Sequence, residues 1–178
     1  MHHYEDLITI FHACFGAEYN TRLVKGDNEP LYLPADEQQN YHAIYFAHGF
    51  FSSALHECAH WLIAGEERRK LIDFGYWYAP DGRTAEQQAL FQRVEVKPQA
   101  LEWILSKAAG YRFRVSSDNL DGDEGDTNAF KQAIYEQVIH YCTFGLSVRA
   151  KKLRDALSHF YNHACVLRAE DFSLADLI

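Results

Sequence analysis

The sequence predicts an α+β fold, a mainly helical domain with a small sheet that we expect to be antiparallel. The chain has 178 residues, of which 48% are hydrophobic and 24% charged, enough to bury one core. Short β-branched and aromatic segments occupy the first third, and apolar residues at helical spacing fill most of the remainder. No repeat or linker interrupts the sequence, so we expect residues 1–178 to form a single domain.

The first predicted elements are one helix and three strands. Apolar residues at helical spacing predict a helix over residues 4–15, which Gly16 is expected to end. The predicted strands are residues 21–24, 31–33 and 41–47. An antiparallel sheet is the simplest arrangement of three such consecutive short strands.

A helix is predicted directly after the third strand. Ser52 and Ser53 are its N-cap candidates, and Gly65 suits the left-handed position that commonly follows a helix. This helix carries the sequence H-E-x-x-H at residues 56–60, and a strand that leads into such a helix is the context of a zincin-like metal site.

Further helices are predicted in the rest of the chain. Thr84 is expected to cap one of them, and Lys97-Pro98 to interrupt it, because the residue before a proline avoids the helical region. Pro98 would begin another helix that Gly110 closes. The last predicted helices cover residues 129–144, 150–163 and 171–178.

The helix after the third strand carries an H-E-x-x-H motif formed by His56, Glu57 and His60. Residues four apart lie on the same face of a helix, so both imidazoles can bind one metal ion. Glu57 is offset from the pair and can reach a metal-bound water or a substrate group. The motif therefore predicts a metal site.

A catalytic metal site usually has a third protein ligand and open positions. Glu95 is favoured because it lies between Val94 and Val96, where a carboxylate is expected to face inward. The carboxylates considered are Glu66, Glu67, Asp73, Glu86, Glu95 and Glu102. Two histidines and one carboxylate suit Fe(II) that binds dioxygen as well as Zn(II) that activates water, and the spacing does not choose between them.

The formal net charge of −8 argues against binding to a nucleic-acid backbone and favours a cationic partner. No apolar run approaches the length of a membrane helix, so we expect no membrane association. The four cysteines form no C-x-x-C pair, which suggests reduced thiols and a cytoplasmic location.

Several ordered segments resemble the elongation factor P hydroxylase family. They are LYLPAD (31–36), FAHGF (46–50), HExxHW (56–61), DFGYWYxPDGR (73–83) and VEVKPQAL (94–101), and the likeness continues through residues 108–111 and 115–120. The resemblance implies an enzyme that hydroxylates the modified lysine of elongation factor P, usually after a β-lysyl group has been attached. It also implies a metal centre whose ligands are His56, His60 and Glu95.

For such a hydroxylase our hypothesis is that Fe(II) binds dioxygen, and that Zn(II) or another divalent metal can occupy the site in a purified sample. Candidates to meet the substrate's ammonium group and alkyl chain are Asp73, Tyr76, Tyr78, Asp81 and Asp118. His48 is a candidate to contact a ligand or the bound oxygen from outside the metal's first shell. The alternative is a small zinc metallopeptidase, in which Glu57 would be the general base.

Overall fold

The computed structural model describes residues 1–73, 82–116, 127–163 and 167–177. The helices are α1 (Tyr4–Tyr19), α2 (Phe51–Ile63), α3 (Ala85–Ala109), α4 (Thr127–Phe144) and α5 (Val148–Phe160). The strands are β1 (Thr21–Lys25), β2 (Leu31–Leu33) and β3 (His42–Phe46), and short 3₁₀ turns span Arg68–Lys70, Ala169–Asp171 and Leu174–Leu177. The predicted α+β architecture, mainly helical with a small sheet, is confirmed.

The three strands form a mixed sheet in the order β1-β3-β2. β2 pairs with β3 in the antiparallel sense, but β1 pairs with β3 in the parallel sense. The prediction of an antiparallel sheet is therefore wrong for one of the two pairs. The connection between β1 and β3, residues 26–41, is long enough for a parallel crossover, and the Gly26 N–H donates to Phe46 O at 2.9 Å, extending the parallel ladder.

The ends of the first two helices differ from the prediction. α1 runs past Gly16 to Tyr19 and ends where Asn20 adopts a left-handed conformation, with φ of 47°. α2 begins at Phe51, without a side-chain cap, so Ser52 and Ser53 lie in its first turn. Gly65 does not close α2. At the end of this helix the carbonyl oxygens of Trp61 and Ala64 instead accept hydrogen bonds from the guanidinium group of Arg149.

α3 is continuous through Pro98, which corrects the prediction of two helices. Its start is as predicted, because Thr84 and Gln87 form a capping box, and its end is as predicted, because Gly110 is left-handed with φ of 65°. An interior proline costs about 3 kcal/mol, but Pro98 is buried and most of the second half of α3 is enclosed by its neighbours. Tertiary packing thus overrides the local preference, and Glu95 lies in mid-helix.

α3 contributes to both hydrophobic clusters of the protein. One cluster joins the last turns of α3 to α1, α2, α5 and the sheet. The other joins the opposite side of α3 to α4 and the C-terminal turns. With apolar contacts on both sides, α3 is held firmly beside α2, and this packing positions the polar side chains between the two helices.

Candidate metal centre

The two histidines of the motif face each other from adjacent turns of α2. His56 Nε2 lies 3.0 Å from His60 Nε2. The opposite side of the helix fixes this orientation, because Leu55, Cys58 and Ala59 are buried in the core. The burial of this side of α2 therefore directs both imidazoles towards α3. The two histidines share one face of the helix, as their four-residue spacing predicts.

Glu95 on α3 completes a group of three candidate ligands. Its Oε1 lies 3.1 Å from His60 Nε2 and its Oε2 lies 3.4 Å from His56 Nε2. The Glu95 side chain is only 1% exposed, while those of His56 and His60 are 24% and 14% exposed. Among the described residues, His56, His60 and Glu95 form the one group of three or more such side chains whose ligand atoms could share a metal ion.

The arrangement of these atoms fits a metal ion. Glu95 Oε1 is buried and accepts no well-aligned hydrogen bond, although His60 Nε2 lies 3.1 Å away. Two neutral imidazoles that point nitrogen to nitrogen at 3.0 Å need a proton or a cation between them. With metal–ligand bonds near 2.1 Å, adjacent ligands of a first-row metal lie about 3.0–3.4 Å apart, so the three separations suit one ion.

The electrostatics without a metal also favour a cation at this position. Burial lowers the pKa of His56, but the charge of Glu95 and the hydrogen bond with Glu102 outweigh it and raise the pKa to about 10. Burial raises the pKa of Glu95, but the charges of His60 and His56 outweigh it and lower the pKa to about 2. A proton on His56 thus balances the ionised Glu95, and a divalent cation could replace it.

Two more side chains of α3, those of Gln99 and Glu102, form hydrogen bonds with the candidate ligands. His56 Nδ1 lies 2.8 Å from Glu102 Oε2. The Gln99 amide donates to Glu95 Oε2 at 3.2 Å and to Ser116 O at 2.7 Å. Glu95, Gln99 and Glu102 are spaced four and three residues apart, so they share one face of α3.

The candidate ligands lie in the wall of a cavity of about 960 Å³. This volume is in the range of substrate and cofactor pockets. Its lining includes the start of α2, Phe91 of α3 and residues of the segment 111–116 that follows α3. Glu57 borders this cavity and also a second, smaller cavity of about 40 Å³. The smaller cavity has room for one or two waters.

The profile of the family described as elongation factor P hydroxylase matches residues 10–172. The chain belongs to the elongation factor P hydroxylase family. It is also 65% identical over 161 residues to a protein of Haemophilus influenzae named elongation factor P lysine hydroxylase, with 90% of each chain covered. The resemblance found in the sequence motifs is therefore confirmed, and the candidate metal centre lies in a member of a hydroxylase family.

The structure describes two of the other predicted site residues, Asp73 and His48. Asp73 borders the smaller cavity together with Glu57, and its carboxylate pairs with the Arg68 guanidinium at 2.8 Å. His48 borders the large cavity, with an exposed side chain and a left-handed backbone of φ 59°. Tyr76, Tyr78, Asp81 and Asp118 lie outside the described residues.

The sequence did not reveal the contacts that Gln99 and Glu102 make with the candidate ligands. Glu102 was considered only as a third ligand, and the predicted break at Pro98 separated Glu95 from both residues. With an uninterrupted helix, their spacing would have placed all three on one face. Arg112 and Arg114, which also line the large cavity, were not singled out from the sequence because they belong to no recognisable motif.

Among the described residues of this family member, no helix combines the length and the apolar character needed to cross a membrane.

Proposed function

We propose that this protein hydroxylates the lysine of elongation factor P that carries a β-lysyl group, at a metal held by His56, His60 and Glu95. The observation that carries the proposal is the convergence of these three ligands at a large cavity, in a member of a hydroxylase family. The name of the Haemophilus influenzae relative supports the choice of a lysine of elongation factor P as the substrate.

We propose iron(II) as the metal. Two histidines and one carboxylate leave further coordination positions for other ligands, an arrangement typical of non-haem iron oxygenases. When bound, iron would supply the activation of dioxygen. Zn(II) or another divalent metal can occupy the same ligands in a purified sample, since imidazole and carboxylate also suit zinc.

The overall reaction inserts one atom of dioxygen into a lysyl C–H bond. The other oxygen atom leaves as water, after taking two electrons from a reductant in solution and two protons. Because the reactive oxygen must meet the C–H bond rather than water, the protein has to hold the lysyl chain in a fixed orientation. The cavity that borders the ligands is the place where the chain would lie.

Glu57 is proposed to act on the substrate rather than on the metal. It borders the same cavity as the ligands, one residue after His56, and its charge suits an ammonium group or an ordered water. Asp73 would contribute only by exchanging its ion pair with Arg68 for the substrate's ammonium group. His48, at the cavity wall, would contact the substrate or the oxygen from outside the metal's ligand shell.

The remaining proposed substrate contacts rest on the sequence alone. Tyr76 and Tyr78 would flank the alkyl chain or the cationic end of the lysyl group, since aromatic faces attract ammonium groups. Asp81 and Asp118 would add negative charge near the same end. These roles suit a protein with a formal net charge of −8 and a cationic substrate.

The zinc metallopeptidase alternative uses the same H-E-x-x-H helix and the same three ligands. It is not supported, because the chain belongs to a hydroxylase family and its relative is named for lysine hydroxylation. We propose a cytoplasmic enzyme, because its substrate is a translation factor. Its proposed partners are elongation factor P and dioxygen. We do not propose nucleic acid as a partner, because the formal net charge of −8 disfavours binding to a phosphate backbone.

The proposal is tested by incubating β-lysylated elongation factor P with this protein, iron(II) and a reductant, and measuring the intact mass of the substrate. A gain of one oxygen on the modified lysine, absent with the His60→Ala variant, is expected. His159→Ala is the matched control, because His159 is an exposed histidine on α5. Peptide cleavage in place of oxygen addition would contradict the proposal.

A further inference from the structure

Glu102 contacts the nitrogen of His56 that faces away from the other candidate ligands. Its Oε2 lies 2.8 Å from His56 Nδ1, whereas His56 Nε2 faces His60 and Glu95. Glu102 is only 7% exposed. A buried carboxyl group needs a hydrogen-bond partner, and the imidazole N–H can supply one.

This contact determines how His56 can bind a metal. A neutral imidazole carries its proton on one nitrogen and binds a metal through the other. An acceptor at Nδ1 keeps the proton there and leaves the Nε2 lone pair for the ion. The hydrogen bond also fixes the rotation of the ring about its axis, so that Nε2 remains directed at Glu95.

The backbone supports the same arrangement. Glu102 lies two turns after Glu95 on the same face of α3. α3 is packed on both sides by apolar side chains, including Leu101, Trp103 and Ile104, which are each no more than 2% exposed. One rigid helix therefore supplies both the carboxylate ligand and the group that orients a histidine ligand on the neighbouring helix.

We propose that Glu102 is a positioning residue, which holds His56 in the tautomer and orientation that bind the metal through Nε2. Carboxylates that accept from a metal-bound histidine commonly change metal affinity by about 10- to 100-fold. The inference rests on the metal-binding role of His56, His60 and Glu95 in the proposed function. It concerns binding and not turnover, so it can be tested without elongation factor P.

The test compares Glu102→Ala and Glu102→Gln with the unchanged protein by titration with Co(II), followed through the visible absorption of the bound ion. We expect Glu102→Ala to bind about 10- to 100-fold more weakly, with a shifted spectrum. Glu102→Gln keeps an uncharged acceptor of the same reach and should fall between the two. Glu86→Gln, an exposed carboxylate on the same helix, should match the unchanged protein.

Each outcome of the titration has a distinct meaning. Equal affinity and an equal spectrum for Glu102→Ala and the unchanged protein would overturn the positioning role. If Glu102→Ala does not fold, Glu102→Gln must by itself show weaker binding and a shifted spectrum, and unaltered values there would overturn the inference. If the unchanged protein binds no Co(II), the metal centre of the proposed function fails; if it binds but never hydroxylates, only the reaction assignment fails.

Discussion

The side-chain amide of Gln99 joins Glu95 to the backbone of Ser116. Gln99 Nε2 donates to Glu95 Oε2 at 3.2 Å and to Ser116 O at 2.7 Å, while the Ser116 N–H donates to Gln99 Oε1 at 3.1 Å. Gln99 is 1% exposed. A candidate metal ligand and the wall of the adjoining cavity are thus held by the same buried amide.

Replacing Gln99 with alanine should weaken both metal binding and folding. The change leaves a buried carboxylate oxygen without this partner, at a cost of about 1–3 kcal/mol. The two backbone groups of Ser116 are only partly buried, so water can replace most of what they lose. We expect a fall of about 1–3 kcal/mol in the free energy of unfolding, measured by urea denaturation of the metal-free protein. Gln132→Ala, on the exposed side of α4, should change it by less than about 0.5 kcal/mol, and equal effects of the two variants would count against the Gln99 network.

Replacing His60 with alanine should remove the metal. Two remaining ligands hold a divalent ion weakly, so we expect metal affinity to fall by more than about 100-fold. Elemental analysis of the protein after dialysis against the metal measures this. Full metal content in His60→Ala, with full content also in the His159→Ala control, would rule out His60 as a ligand.

Replacing Glu57 with glutamine should impair the reaction but not the metal site. Glu57 borders the cavity without belonging to the group of three ligands. Loss of a hydrogen bond to a charged group costs about 1.5–3 kcal/mol, which corresponds to a fall of about 10- to 100-fold in kcat/KM. Steady-state hydroxylation assays on protein of verified metal content measure this, and an unchanged kcat/KM would show that Glu57 does not act on the substrate.

Metal affinity should rise with pH. In the metal-free protein the pKa of His56 is raised to about 10 and that of Glu95 is lowered to about 2, so at neutral pH His56 is protonated and Glu95 is ionised. A metal ion must displace the His56 proton, so its apparent binding constant should increase by about tenfold per pH unit between pH 6 and pH 8. Competitive titrations at several pH values, in a buffer that does not bind metal, test this; an affinity independent of pH would contradict it.

Arg149 should stabilise the helix that carries both histidines. Its guanidinium donates to Trp61 O at 2.9 Å and to Ala64 O at 2.7 Å at the end of α2, and it lies over the Trp61 ring at 4.5 Å. Arg149→Ala should lower the free energy of unfolding by about 2–3 kcal/mol, because these carbonyls lose charged donors. Thermal unfolding compares it with Lys151→Ala, which removes an exposed cation from the same helix. Equal melting temperatures for the two variants would show that this cap contributes nothing.

The sequence predicts the parts of the site that depend on local spacing. The four-residue spacing of His56 and His60 places them on a common face of the helix, whatever surrounds it. Glu95 could be favoured from its valine neighbours and from family motifs. The capping box at Thr84 and the left-handed Gly110 were predictable for the same reason, since each depends on a few adjacent residues.

Features that depend on tertiary packing were not predictable from the sequence. Pro98 breaks an isolated helix, but here it is enclosed by neighbouring elements and α3 continues through it. The parallel pairing of β1 with β3 requires contacts between segments far apart in the sequence. The contact of Glu102 with His56 likewise depends on the packing of α3 against α2.

The origin of the oxygen atom on the modified lysine tests the central claim most directly. β-Lysylated elongation factor P is incubated with the iron-loaded protein and a reductant under isotopically heavy dioxygen in ordinary water, and the modified peptide is weighed by mass spectrometry. A metal centre of His56, His60 and Glu95 that uses dioxygen predicts a hydroxyl group carrying the heavy isotope. A hydroxyl group with ordinary oxygen, or an unmodified lysine with fully metal-loaded protein, would contradict it.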